Sequence, residues 1–122
     1  MNIQKSVKWY GMVILALGVL GFIPGIVSGT GLLFGIFLVS ILANIIHIAG
    51  GLVGIESAMS VGAAKLYFKI MGVIFLIVAI LGFANLTLTA NLATNILHVV
   101  LALVALYFGF IPAEEKAPVA VL

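Results

Sequence analysis

Four long apolar stretches alternate with short polar or glycine-rich breaks along this chain. A helix crossing a bilayer needs about 20 predominantly apolar residues, and the breaks predict spans over about 7–26, 39–59, 65–84 and 91–110. The first ends near Pro24 and Gly25, where a helix is hard to continue. Between spans one and two, Ser28–Leu38 (SGTGLLFGIFL) carries three glycines and no charge. That is too apolar for an ordinary exposed loop and too broken for a span. It reads either as a short helix or re-entrant piece at the membrane face or as an apolar loop shielded by the bundle. Residues 60–64 connect spans two and three, and Asn85–Ala90 (NLTLTA) predicts a polar turn. Pro112 and a charged patch of Glu114, Glu115 and Lys116 follow the fourth span.

Composition narrows this further. Of 122 residues, 66% are hydrophobic and 7% charged, with a mean hydropathy of +1.48. A soluble domain of this size needs far more charge to cover its surface. The expectation is one all-α integral membrane domain over 1–122, a bundle of four transmembrane helices with no room for a soluble catalytic module. Lys5 and Lys8 followed by an apolar run imitate a secretory signal, but the run continues through Val27 without a small-x-small cleavage site and predicts a retained helix.

The net charge of +2 rests on five lysines and three glutamates. No Lys/Arg cluster offers a nucleic-acid surface. The lysines serve better as topology markers: Lys5 and Lys8 precede span one, Lys65 and Lys69 flank the link between spans two and three, and Lys116 follows span four. The other connections carry no charge, which predicts a multi-pass protein of the cytoplasmic membrane with both termini cytoplasmic. Trp9, Tyr10, Tyr67 and Tyr107 fall near that same boundary and predict an interfacial aromatic belt, with core packing as the alternative for each. The absence of cysteine removes disulfides, thiolate metal sites and cysteine nucleophiles.

Comparison of residues 5–59 with 65–110 suggests an internal duplication. Lys8, Gly11, Leu20, Gly21 and Phe22 recur as Lys69, Gly72, Leu81, Gly82 and Phe83, at an offset of 61. The second helix of each half matches at an offset of 51, so the first half holds ten extra residues in its connection. Each half crosses twice, which predicts two parallel two-helix repeats related by an axis along the membrane normal. On span two, Ser40, Asn44, His47, Gly51, Gly54 and Ala58 form a stripe. On span four, Asn91, Asn95, His98, Ala102, Ala105 and Gly109 repeat its spacing. This 3.5-residue period suits left-handed packing. Small and polar residues mark buried faces in lipid, so Gly51, Gly54, Ala102 and Ala105 are expected at helix contacts, with the stripes facing each other or a shared interior. Gly11, Gly18 and Gly25 form a comparable series on span one.

The chemistry concentrates in Asn44, His47, Asn95 and His98, polar residues inside apolar spans. Three residues apart, each asparagine and histidine share a helix face, and an amide bonded to one ring nitrogen would set the tautomer. One reading is an interhelical hydrogen-bond cluster joining the halves. The other is a ligand site, with His47 and His98 holding a haem iron, holding a chlorophyll-type magnesium, or lining a proton route. No arginine or mid-span lysine is placed to meet haem propionates, and two histidines alone leave a zinc or copper shell incomplete. Glu56, near the inner boundary, is expected to pair with Lys65 or Lys69. Serines and threonines lack an adjacent acid and base, and no strands and no catalytic constellation are expected.

LLFGIFLVSILANIIHIAGGLVGI at Leu32–Ile55 and TNILHVVLALVAL at Thr94–Leu106 resemble a family of prokaryotic four-span membrane proteins known only as a domain of unknown function. The twice-repeated Asn-x-x-His, Asn44/His47 and Asn95/His98, carries the likeness, which covers nearly the whole chain. It implies an architecture and no activity. The expectation is therefore a structural or assembly component, not an enzyme and without a cofactor. It would sit in the lipid bilayer and associate with itself or a larger membrane complex. A haem- or chlorophyll-binding subunit and an oligomeric channel or transporter are the alternatives.

Overall fold

Each helix begins where a short polar side chain can satisfy its first free amides. In the computed structural model, which describes residues 2–86 and 91–112, Asn2 caps α1 (Ile3–Leu20) by accepting from the amides of Gln4 and Lys5. Ser40 caps α2 (Ile41–Glu56), Ser60 caps α3 (Val61–Phe83) and Asn91 caps α4 (Leu92–Phe110). Such a cap is worth about 1 kcal/mol. A short 3₁₀ turn, Ser57–Met59, follows α2. The four apolar segments are 18, 19, 23 and 19 residues long once that turn is included, and each is long and apolar enough to cross a membrane.

Helix α1 ends at Leu20, earlier than the 26 expected for the first span. Pro24 disfavours helical backbone at Ile23, and Gly25 adopts φ +92°, a left-handed conformation that ends any return to the helix. At the end of α3, Asn85 takes φ 57°. The Leu86 amide then donates to the Leu81 carbonyl at 2.9 Å and the Asn85 amide to that of Gly82 at 3.0 Å, a Schellman cap. The remainder of the turn expected at 85–90, and the Glu114–Lys116 patch, lie outside the described residues.

The glycine-rich connection is neither a helix nor a formless loop, and it corrects the expectation of no strands. Leu32–Leu33 (β1) and Phe37–Leu38 (β2) pair antiparallel, Leu32 opposite Leu38 and Leu33 opposite Phe37. The turn between them uses left-handed backbone at Phe34 (φ 54°) and Gly35 (φ 71°). Ladder, turn and flanking bonds, such as Val39 amide to Gly31 carbonyl at 3.0 Å, occupy the segment's own polar groups. Backbone near hydrocarbon needs this satisfaction. The hairpin is tied to the start of α4, where Asn91 Nδ2 donates to the Ile36 carbonyl at 2.8 Å and Thr94 Oγ1 to that of Leu38 at 3.3 Å.

The helices associate as two close pairs, α1 with α2 and α3 with α4, with α1 and α3 meeting between them and α2 and α3 barely touching. Backbone proximity dictates the pairs. A Cβ on Gly11 would lie 2.7 Å from the Gly51 carbonyl oxygen, and one on Gly18 2.7 Å from that of Asn44. One on Gly72 would meet Leu106, and one on Gly109 would meet the Lys69 amide at 2.8 Å. Glycines at such crossings let main chains touch. The larger buried side chains, Val7, Tyr10, Ile14, Tyr67, Phe68 and Phe75, fill the space between the pairs.

Candidate functional site

Helices α2 and α4 both carry an asparagine in their first turn and a histidine one turn later. His47 and His98 each stand six residues from the helix start, about 9 Å down the axis. Asn44, Asn95 and His98 are buried, and His47 is half-buried.

The asparagines are not placed to join the halves. Asn44 lies flat against Gly21 of the adjoining helix pair member: a Cβ there would collide with Oδ1 and come within 2.5 Å of Cγ and 2.7 Å of Nδ2. Asn95 does the same at Gly82, where a Cβ would collide with Oδ1 and stand 2.9 Å from Cγ. Both amide oxygens are buried without a conventional hydrogen-bond partner. Each rests on the bare Cα of a glycine, a geometry for a weak Cα–H···O contact. Neither oxygen accepts from an imidazole, so the expected tautomer-setting bond from Asn to His through oxygen is not made.

The histidines do meet across the pairs. Their ring centroids are 6.2 Å apart with planes tilted by 50°. Phe75 of α3 stacks on both, at 6.4 Å and 25° from His47 and 5.6 Å and 28° from His98. Sequence reasoning missed Phe75, since one phenylalanine in an apolar span carries no distinguishing signal. These rings wall a cavity of about 310 Å³ between α2 and α3, roofed by Leu38 and Val39 of the hairpin segment. The His98 ring borders this cavity, and its Nδ1 is buried without a partner.

Two tyrosines make the polar ties between helix pairs, which corrects their reading as interfacial anchors. Tyr10 is buried and its hydroxyl donates to the Leu101 carbonyl of α4 at 2.7 Å; the buried Tyr67 donates to the Gly50 carbonyl of α2 at 2.8 Å. Their rings meet edge-on at 6.2 Å. Trp9 and Tyr107, 59% and 57% exposed, remain free for an interface. Tyr10→Phe and Tyr67→Phe should each lower stability by about 0.6 kcal/mol, the usual size of an intramembrane side-chain hydrogen bond. Equilibrium unfolding in mixed detergent micelles reads the loss, and a change under 0.2 kcal/mol in both variants would deny these bonds a structural role.

The small-residue stripes contact different neighbours from those expected. Gly51 and Gly54 lie against Gly11 and Leu15 of α1 and the Tyr67 hydroxyl, while Ala102 and Ala105 are fully buried in the core beside α1 and α3 residues. The two stripes therefore meet at His47 and His98, while their small residues face the interior and other helices rather than each other. Lys69 Nζ sits 5.4 Å from the centre of the Phe110 ring rather than on Glu56, which is exposed. Among the described residues, no group of three or more His, Asp or Glu side chains is placed to hold a metal ion.

Four apolar helices of spanning length, packed through glycines around a small intramembrane polar set, define a multi-pass membrane protein of the helix-bundle class. The chain belongs to the family of the domain of unknown function DUF4383, which matches residues 4–111. No curated protein and no solved structure matches it.

Proposed function

We propose that this protein is a structural or assembly component of the cytoplasmic membrane, acting through helix contacts rather than catalysis and associating with itself or a larger membrane complex. One observation carries the reading: the interior tyrosine and asparagine side chains engage glycines and backbone carbonyls of neighbouring helices rather than one another as acid–base sets. Lys5, Lys8, Lys65 and Lys69 stand at the bundle end opposite the hairpin, which supports cytoplasmic termini. An ancestral duplication is supported by contacts at matching offsets, Gly21 with Asn44 and Gly82 with Asn95. Native mass spectrometry from nanodiscs tests the assembly role. A defined oligomer or co-purified complex is expected, and a monomer at all concentrations, with no partner retained after crosslinking in the membrane, would refute it.

A pigment-binding subunit is the second reading, favoured by the 6.2 Å approach of the two imidazoles. Phe75, stacked on both rings, stands where a macrocycle would need space. Visible absorbance of protein purified in mild detergent decides it, since a bound porphyrin gives a Soret band that His47→Leu or His98→Leu would remove.

A further inference from the structure

We infer that the cavity between α2 and α3 is a binding site for a lipid-soluble quinone or quinol, whose ring would lie against the His47, Phe75 and His98 rings and hydrogen-bond to His98. Four features of the cavity converge on that chemistry. Its inner wall is aromatic, with the Phe75 plane within 28° of each imidazole plane. Flat ring systems are held best by such stacking at offset distances. Its volume, about 310 Å³, suits one substituted ring and is at the small end of ligand sites.

The third feature is polar. His98 Nδ1 is buried without a partner, as are the amide oxygens of Asn44 and Asn95. The two oxygens are each pressed against a glycine that blocks approach, whereas the His98 ring borders open space. A neutral imidazole donates from one nitrogen and accepts at the other, so it can serve a quinone carbonyl or a quinol hydroxyl. A ligand whose few polar atoms sit on its ring edge matches a site walled mostly by apolar side chains, with Ser40, His47 and Thr94 beside His98 as its polar residues.

The fourth feature is the entrance. Leu42, Ile46 and Ile74 border the cavity and are 60%, 56% and 44% exposed, so the mouth opens sideways on the apolar flank of α2 and α3, where these helices barely touch. A ligand arriving there comes from the hydrocarbon phase and leaves a hydrophobic tail outside. The β1–β2 hairpin segment covers the outer side through Leu38 and Val39. An aromatic wall, one unpartnered imidazole and a lipid-side mouth together favour a tailed quinone over a bare acyl chain, which would leave the imidazole unpaired.

The chain has two histidines, so selective ¹⁵N/¹³C-histidine labelling gives two imidazole signal sets in the full-length protein in nanodiscs. Titration with decylubiquinone should shift both sets saturably, His98 the more. Decylbenzene, with the same tail and no carbonyl, should bind at least ten-fold more weakly. Ile74→Trp, filling the mouth from an exposed position, should weaken quinone binding at least ten-fold at unchanged melting temperature, and His98→Phe should do the same while keeping a ring in the wall. Equal affinity for decylbenzene would make the cavity a plain hydrocarbon slot and overturn the inference. So would the absence of a saturable shift, or quinone binding that Ile74→Trp leaves intact. Should His98→Phe fail to fold, the Ile74→Trp and decylbenzene arms decide alone. None of these readouts depends on oligomeric state, so failure here leaves the assembly reading standing.

Discussion

Gly51→Ala is expected to destabilise the protein by about 3 kcal/mol, while Gly50→Ala, one residue earlier in the same helix, leaves it unchanged or stabilises it by up to about 1 kcal/mol. The adjacent glycines differ in what a methyl group would meet. At Gly51 a Cβ would lie 2.5 Å from the Leu15 amide nitrogen and 2.6 Å from the Gly11 carbonyl oxygen, both main-chain atoms of α1 that cannot rotate away. The helices would have to separate along their whole crossing. At Gly50 the nearest atom is Met71 Cε at 3.6 Å, an ordinary contact at the end of a flexible side chain. There the gain in helix propensity is free to act, and the Gly50 carbonyl still accepts from Tyr67. Gly51→Val should prevent recovery of folded protein altogether. Circular dichroism during denaturing-detergent titration measures both effects, and equal unfolding midpoints for the two alanine variants would mean that α1 and α2 do not touch through their backbones.

That contrast marks what can be read from the chain alone. The four helices were legible because lipid imposes a minimum apolar length, but starts expected at about 7 and 65 fall at Ile3 and Val61, behind the caps Asn2 and Ser60, which apolar length alone does not register. The stripe through Gly51 and Gly54 revealed a buried face but not its neighbour, since a helical period defines a direction and leaves the covering helix unnamed. Tyr10 and Tyr67 misled for a related reason. In a helix apolar on all sides, hydropathy does not say which residues point inward, and a tyrosine near a helix start fits a membrane interface as well as a core. The hairpin was beyond reach because two-residue strands have no period to detect, and left-handed backbone at Phe34 is unexpected for a non-glycine residue. At the site, the meeting of His47 with His98 follows from their shared depth, but the ring of Phe75 beside both has no sequence signature.

The largest remaining effect separates two ways in which the asparagines could hold the bundle. Gly21→Ala should cost about 2 kcal/mol, because the whole Asn44 amide lies over the glycine, with Cγ and Nδ2 2.5 and 2.7 Å from a Cβ built there. Gly82→Ala should cost less, since Asn95 meets that site mainly through its oxygen and its Nδ2 stands at 3.5 Å. Truncating the asparagine makes room for the methyl, so Gly21→Ala/Asn44→Ala should melt close to Asn44→Ala alone, a favourable coupling of about 1–2 kcal/mol. Sites in different helix pairs share no contact, and Gly21→Ala with Asn95→Ala should therefore add within about 0.5 kcal/mol. A single polar cluster joining the halves would reverse this pattern: Asn44→Ala and Asn95→Ala would couple strongly with each other, and neither would rescue its glycine. The full set of single and double variants, unfolded under one detergent condition, distinguishes amides that seal each helix pair from amides that bridge them.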